Sequence, residues 1–173
     1  LTTDKRIDLV SFTGSDRVGS LIQAQAAPTL KRLVMELGGK SALIVRPDAD
    51  LQGAAMNGLM GFTVHCGQGC ALLTRHLVHN SVKAQYIETL KAMVAHVKVG
   101  DPADPTSTMG PLIREVARTR TQNYVDIALS QGARLVTGGK RPAGLDKGFF
   151  YEPTLFTDVE NHHRIAQEEV FGP

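Results

Sequence analysis

One of the two cysteines, Cys70, stands where a thiol is equipped to act as a nucleophile. It follows the turn Gly67-Gln68-Gly69, which comes directly after a mostly apolar segment. The thiolate is the reactive form of cysteine, and nearby backbone N–H groups or positive charge favour it. Glycines before the thiol let such N–H groups approach, as an oxyanion site requires. A buried structural cysteine is the alternative and the commoner fate of this residue type.

A carboxylate at the end of an apolar strand is the second candidate for chemistry. Glu36 lies between Met35 and Leu37 and is followed by two glycines. Burial raises the pKa of a carboxyl group and lets it serve as a general base near neutral pH. We therefore predict a desolvated Glu36 that acts as a base, with a strand-end glutamate that points to water as the alternative.

A glycine-containing turn is the third candidate. Gly14 and Ser15 lie where a predicted strand passes into a predicted helix, and Gly19 follows within that helix. Such a turn directs backbone N–H groups and the positive end of the helix dipole at an anion, so a phosphate fits there. The spacing does not match the G-x-G-x-x-G fingerprint. An ordinary turn with a serine cap is the alternative.

Metal ligation is a further possibility that the spacing does not favour. The side chains that could bind a metal are His65, Cys66, Cys70, His76 and His79. No second pair of cysteines or histidines follows at a zinc-finger spacing, so we expect no metal site. A zinc or redox module built on the two cysteines stays open as an alternative. The pair His162-His163 is expected to be solvated in a polar loop.

The elements that must position these residues alternate between strand and helix. Apolar periodicity predicts strands over residues 7–12, 33–37, 42–45, 77–79 and 134–137, an extended segment over 149–156, and helices over 18–27, 51–64, 81–96 and 114–131. This β-α-β order indicates an α/β fold. We expect strand 42–45 to be covered on both faces, helix 51–64 to be largely buried, and Ser81 to cap its helix.

Composition excludes several classes of protein. The 173 residues are 42% hydrophobic and 21% charged, as in an ordinary globular protein. The net charge is +2, and basic and acidic residues are interspersed along the chain, so we expect no nucleic-acid partner. No apolar run reaches the roughly 20 residues of a membrane helix, and no secretory signal is present. Two cysteines favour a reducing compartment, the cytoplasm. The ends, Leu1 and Pro173, suggest a piece of something longer.

The candidate motifs occur in an order that resembles the NAD(P)-dependent aldehyde dehydrogenase superfamily over the whole chain. The motifs that carry the resemblance are Phe12-Thr13-Gly14-Ser15 with Gly19, Met35-Glu36-Leu37-Gly38-Gly39-Lys40-Ser41, Gly67-Gln68-Gly69-Cys70, Met109-Gly110-Pro111-Leu112, Gly148-Phe149-Phe150-Tyr151-Glu152-Pro153-Thr154 and Glu168-Glu169-Val170-Phe171-Gly172-Pro173. The resemblance implies the end of a Rossmann-type cofactor domain over residues 1–38 and most of an α/β catalytic domain over 39–173.

The resemblance also implies a role for each site residue. Cys70 would attack an aldehyde, and Glu36 would activate the water that hydrolyses the resulting thioester to a carboxylic acid. Met60 and Val64 would line the aldehyde tunnel. NAD or NADP would contact the remaining residues: Gly14 and Ser15 at the phosphates, Gly19 through close packing, Val18 and Ile22 at the adenine, Leu37 at the nicotinamide amide, Glu169 at the ribose and Phe171 beside the ring.

The sequence departs from the family pattern around the thiol. His65 stands where the family often has Asn, Gly69 is unusually small, and Leu72 is bulkier than usual. We expect these changes to widen one side of the pocket and crowd another. No basic residue closely flanks Cys70, which favours an uncharged aldehyde. The parent protein is expected to be a homo-dimer or homo-tetramer, and the alternative for this chain is an inactive fragment that retains only the thiol pocket.

Overall fold

The computed structural model describes residues 1–173, which form two compact units, Leu1–Gly39 and Lys40–Pro173. The sequence motifs predicted a division between residues 38 and 39. The identity of the units as a cofactor domain and a catalytic domain stays a prediction.

The first unit is a strand, a helix and a second strand. The elements are β1 (Leu9–Thr13), α1 (Asp16–Ala26) and β2 (Arg32–Glu36), and the two strands pair in parallel. The ammonium group of Lys31 donates to the carbonyl oxygens of Asp4 and Ile7 at 2.6 and 2.7 Å, which fixes the segment before β1. This parallel β-α-β unit is the expected arrangement for an α/β fold.

The second unit contains four strands and four helices. In chain order they are β3 (Ala42–Val45), α2 (Leu51–Thr63), β4 (Arg75–Val78), α3 (Asn80–Val94), α4 (Glu115–Ser130), β5 (Arg134–Thr137), β6 (Leu155–Thr157) and α5 (Arg164–Gln167). Strands β3 and β4 pair in parallel, and β5 pairs with β6 antiparallel. A short 3-10 segment, Val64–Gly67, follows α2; it contains Cys66, and His65 and Cys66 within it have non-helical backbone angles.

Two clusters of buried side chains form the core of this unit. The first is made of Val45, Ala55, Phe62, Tyr86, Leu90 and Val94, and joins β3 to α2 and α3. The second is made of Cys66, Met109, Leu112, Ala117, Val125 and Tyr151. Each fully buried side chain of leucine size contributes about 1.5–3 kcal/mol. Because Cys66 shares the second cluster with Ala117 and Val125 of α4, this cluster attaches the end of the 3-10 segment to α4 and to the loops around it.

Two expectations about burial were wrong. Strand β3 is covered on one face only: Ile44 is 70% exposed, because Leu43 and Val45 alone point into the first cluster. Helix α2 is half-exposed rather than largely buried, with Met56 47% and Met60 50% accessible. The glycines and alanines of α2 lie on the face that packs against the first cluster, and its methionines lie on the exposed face.

Two further corrections concern histidines. The imidazole of His79, not Ser81, caps α3, since Nδ1 of His79 accepts from the Ser81 amide at 3.3 Å. His163 is not solvated: it is 4% exposed, and its Nδ1 accepts from the Glu160 amide at 3.2 Å.

None of the helices is both long enough and apolar enough to cross a bilayer.

Candidate active site

The segment that carries both thiols begins with a left-handed stretch of backbone. We call residues 64–70 the thiol turn. His65, Cys66 and Gly67 have φ angles of 50°, 56° and 69°. A non-glycine residue in this conformation costs roughly 1–2 kcal/mol. Two such residues in succession persist only where the surrounding structure determines the backbone, and such strain is typical of functional sites.

Two contacts hold this stretch in place. Cys66 is 2% exposed within the second core cluster. A Cβ atom on Gly67 would collide with the carbonyl group of Gly172, so the two backbones touch directly. The positive φ and the lack of space both require glycine at this position. This contact brings the final motif of the chain, with Phe171, against the thiol turn.

The side chain of Gln68 fixes the next part of the turn. Its Nε2 donates to the His65 carbonyl oxygen at 3.0 Å, and its Oε1 accepts from the Ile113 amide at 3.1 Å. The backbone amide of Gln68 also donates to the His65 carbonyl oxygen, at 3.1 Å. From the sequence, Gln68 was predicted only to be part of a turn. The one sequence feature that could have indicated this role is the position of Gln68 between two glycines, because the lack of neighbouring side chains leaves room for its amide to contact a distant segment.

The two thiols have opposite environments. Cys66 is buried, and this burial raises the pKa of its thiol to about 12. Cys70 is exposed and forms no disulfide. The backbone hydrogen bonds of the segment join Gln68 to His65 and Leu72 to Gly69, and they leave the Cys70 amide unused. The structure thus presents one accessible thiol beside an amide that can receive a negatively charged oxygen.

The departures at positions 69 and 72 turn out to be related. A Cβ atom on Gly69 would lie 2.8 Å from Cγ of Leu72, so the leucine occupies the space that a side chain at position 69 would need. The larger residue fills the gap left by the smaller one. Whether this widens or crowds a substrate pocket stays a prediction.

Met60 and Val64 lie one helical turn apart at the end of α2. The Val64 amide donates to the Met60 carbonyl oxygen, and the Met60 side chain is 50% exposed. Val64 is half-buried. An exposed thioether next to the thiol turn is available to a substrate, whereas a core methionine would not be.

His76 anchors the chain that leaves the thiol turn. Its Nε2 lies 3.0 Å from the Leu73 carbonyl oxygen and its Nδ1 lies 3.0 Å from the Tyr86 hydroxyl. A neutral ring that donates from Nε2 and accepts at Nδ1 satisfies both contacts. Burial lowers the pKa of His76, which favours that neutral form. The histidine therefore has a structural role, and no group of three or more His, Cys, Asp or Glu side chains is placed to hold a metal ion.

The predicted phosphate turn lies in the first unit, between β1 and α1. Ser15 caps α1 by accepting from the Val18 amide at 3.4 Å. The Gly14 amide is engaged, because it donates to the Glu36 carbonyl oxygen at 3.0 Å. The first amides of the helix, at Asp16 and Arg17, have no carbonyl partner within it and remain suited to an anion.

The helix that follows packs closely on the end of the unit. A Cβ atom on Gly19 would lie 2.8 Å from Cδ2 of Leu37, so glycine is needed for this approach. Ile22 is 9% exposed and Val18 is half-buried, on the same side of α1. Close packing at Gly19 is what the resemblance implied. Contacts of Val18, Ile22 and Leu37 with a cofactor stay predictions.

Glu36 is exposed at the end of β2, which contradicts the predicted desolvation. The strand alternates between exposed and half-buried residues, and Glu36 falls on the exposed face. Its carbonyl group is held by Gly14, so the backbone is fixed while the carboxylate reaches solvent. The carboxylate therefore lies in an aqueous environment within this structure.

The final motif contains two adjacent glutamates with different partners. Glu168 accepts from the Tyr124 hydroxyl at 2.8 Å and pairs with Arg164 at 2.8 Å, and these bonds lower its pKa to about 2. Glu169 is half-buried. Phe171 has a φ of 57°, and the guanidinium of Arg120 lies 5.8 Å from the centre of its ring. The motif is thus fixed from α4 and α5.

A partly open cavity of about 260 Å³ also lies in the second unit. Lys40, Arg75 and His76 are among its lining residues, and burial lowers the pKa of Lys40 to about 8. Cys70 is not part of its wall.

Known proteins match this chain over its whole length or nearly all of it. A model of the aldehyde dehydrogenase family matches residues 1–173. A betaine aldehyde dehydrogenase of Brucella anthropi is 42% identical over 166 residues, which is 95% of this chain and 34% of that protein. The chain spans about a third of the length of the curated relatives it matches.

Two of the solved structures that this chain resembles contain NAD+. An aldehyde dehydrogenase of Mycobacterium tuberculosis in complex with NAD+ matches with a TM-score of 0.96 and 45% identity, over 99% of this chain and 36% of that one. A mutant of aldehyde dehydrogenase C from Pseudomonas syringae, with NAD+ and octanal, matches with a TM-score of 0.96 and 38% identity, over 99% and 36%.

Proposed function

This chain belongs to the aldehyde dehydrogenase family, and on that premise we propose that it carries the nucleophile of an enzyme that oxidises an aldehyde to a carboxylic acid with NAD+ or NADP+. One observation supports this function most strongly: of two thiols four residues apart, only Cys70 is exposed, and it follows a backbone turn whose shape is fixed on both sides.

Covalent catalysis by Cys70 divides the reaction into two steps. The sulfur attacks the carbonyl carbon of the aldehyde, and the carbonyl oxygen becomes the oxyanion of a thiohemiacetal near the unused Cys70 amide. The bound NAD+ or NADP+ supplies the acceptor for the hydride. The carbon is thereby oxidised and remains attached to Cys70 as a thioester.

Hydrolysis then releases the product. A water molecule attacks the thioester carbon while the carboxylate of Glu36 removes its proton, the C–S bond breaks, and the carboxylic acid leaves as Cys70 regains its thiolate. The exposed position of Glu36 gives water direct access to this base. The retained glutamate favours water over coenzyme A as the acyl acceptor.

The residues proposed to hold the cofactor fit its chemistry in both units. In the first unit, the start of α1 offers amides to the phosphates, and Gly19 keeps α1 close to Leu37. In the second unit, Glu169 would accept hydrogen bonds from the ribose hydroxyls and Phe171 would pack beside the nicotinamide. The Arg120 guanidinium over the Phe171 ring fixes that ring and supports this assignment.

We further propose that the substrate is an uncharged aldehyde. Met60 presents an exposed apolar side chain at the end of α2, and the flanks of Cys70 are Gly69 and Ala71, which carry no charge. Octanal should be preferred over succinate semialdehyde, and a clear preference for the latter would contradict the assignment. The cytoplasmic location indicated by the cysteine content, and the homo-dimeric or homo-tetrameric state implied by the resemblance, stay predictions.

The experiment that tests the nucleophile needs no cofactor. A thiol nucleophile attacks p-nitrophenyl acetate to give an acyl-thioester and one equivalent of p-nitrophenolate, which appears as a burst. We expect the burst in the chain and its absence in Cys70→Ser. A burst that persists in that variant would contradict the proposed role.

Turnover with octanal and NAD+ or NADP+, followed as formation of reduced cofactor, separates the two possibilities for the chain itself. A burst with turnover supports a competent enzyme. A burst without turnover supports the alternative of an inactive fragment that retains only the thiol pocket. No burst and no turnover would reject the proposed function.

A further inference from the structure

The thiol turn is connected to a distant loop by a single side chain. Gln68 uses both ends of its amide: Nε2 donates to the His65 carbonyl oxygen, and Oε1 accepts from the Ile113 amide. Residues 68 and 113 lie 45 positions apart. We call this pair of hydrogen bonds the Gln68 bridge.

The far end of the bridge is a fixed point. Ile113 directly follows Leu112, which is 1% exposed in the second core cluster. The Leu112 amide donates to the Phe149 carbonyl oxygen at 3.0 Å, which attaches this loop to a third segment. The Ile113 amide therefore has little freedom to move, and a group bonded to it is held against the core.

The near end of the bridge lies on the strained part of the turn. His65 has a φ of 50°, and its carbonyl oxygen receives both the backbone amide and the side-chain amide of Gln68. Beyond Gln68 the backbone passes through Gly69, the residue type with the greatest conformational freedom. Cys70 is the next residue. The bridge is thus the last side-chain restraint before the thiol.

We propose that Gln68 is a positioning residue: the bridge holds the backbone before Cys70 so that the sulfur and the Cys70 amide face the same carbonyl group. This role rests on the proposed function. Attack on a carbonyl needs the sulfur and the oxyanion donor in a defined relation, whereas simple alkylation of a thiol needs only access. A displacement of about 1 Å at a catalytic group can cost a factor of about 100 in rate.

The contrast between these two reactions provides the test. In Gln68→Ala we expect the burst rate with p-nitrophenyl acetate to fall by about 10- to 100-fold. The rate of Cys70 alkylation by iodoacetamide should stay within about twofold of the parent chain, since the thiol remains exposed. In Gln68→Glu, which can still accept from Ile113 but opposes the His65 carbonyl, an intermediate loss is expected.

A glutamine elsewhere in the unit is the matched control. Gln131 accepts from the Arg164 amide at 2.9 Å with its side-chain oxygen, at the end of α4. Gln131→Ala removes a comparable hydrogen bond and should leave both rates unchanged.

Two results would overturn the positioning role while leaving the proposed function intact. One is a burst rate in Gln68→Ala equal to that of the parent chain. The other is an equal fall of burst and alkylation rates, which would mean that the thiol has simply become inaccessible or the turn has unfolded. Absence of both the burst and turnover in the parent chain would reject the proposed function and, with it, this role.

Discussion

The two thiols of the chain belong to neighbouring parts of one turn and have opposite surroundings. Cys66 lies in the left-handed part, is 2% exposed, and has a thiol pKa raised to about 12 by burial. Cys70 lies after the glycine at position 69 and is exposed. At neutral pH a thiol of pKa 12 is almost wholly protonated and makes a poor nucleophile.

The difference shows that one thiol of the turn stabilises the fold while the other is available for reaction. The buried thiol contributes packing that holds a strained backbone, and the exposed thiol takes its position from that backbone. Gly67 and Gln68 lie between them and connect the turn to Gly172 and Ile113.

The largest effect is expected at Gly67. In Gly67→Ala the new methyl group collides with the Gly172 backbone at a φ of +69°, so we expect a loss of about 2–4 kcal/mol in the free energy of unfolding. Gly144 is the matched control, since its φ is +76° and nothing lies within 4 Å of its added Cβ. Gly144→Ala should cost about 1 kcal/mol. Urea denaturation measures both, and equal losses would contradict the contact.

Serine replacements at the two cysteines should have opposite consequences. Cys66→Ser places a hydroxyl among the buried side chains around Met109 and Tyr151, and we expect about 1–3 kcal/mol of destabilisation with the p-nitrophenyl acetate burst retained. Cys70→Ser should change stability by no more than about 0.5 kcal/mol and abolish the burst. A burst lost in Cys66→Ser, in a folded protein, would reverse the assignment.

A smaller effect is expected of pH on the free energy of unfolding, through protonation of His76. Burial lowers the pKa of this histidine below its usual 6.5, so below pH 6.5 the unfolded chain takes up a proton that the folded chain resists. Stability should therefore fall as pH drops from 6.5 toward the folded-state pKa, by at most about 1.4 kcal/mol per pH unit, and His76 should contribute no slope above 6.5.

Denaturant titrations at several pH values compare the parent chain with His76→Gln. The variant should lose this part of the slope below pH 6.5. The same slope in both proteins would show that another group is responsible.

The sequence predicted those features that depend on neighbouring residues. The order of the main strands and helices follows from local periodicity, whereas the choice of Cys70 as the nucleophile came from the resemblance to the family. The exposed face of β3 at Ile44 could not be predicted, because an apolar run does not reveal which faces a neighbouring layer covers. The same limit explains Glu36, whose side chain alternates onto the exposed face of β2.

Contacts between distant segments were also beyond local reasoning. The Gln68 bridge joins residues 45 positions apart, and the contact of Gly67 with Gly172 joins the thiol turn to the last motif. The burial of His163 depends on how its loop folds back to Glu160. Such pairings are set by the packing of the second unit, and no pattern within either segment specifies the partner.

Selective alkylation tests the central claim, that Cys70 is the reactive thiol of this turn. The folded chain is treated with a slight excess of iodoacetamide, and modified peptides are identified by mass spectrometry while the p-nitrophenyl acetate burst is followed in parallel. We expect modification at Cys70 alone, loss of the burst in proportion to it, and reaction at Cys66 only after unfolding. Modification of Cys66 first, or a burst that survives complete modification of Cys70, would contradict the account.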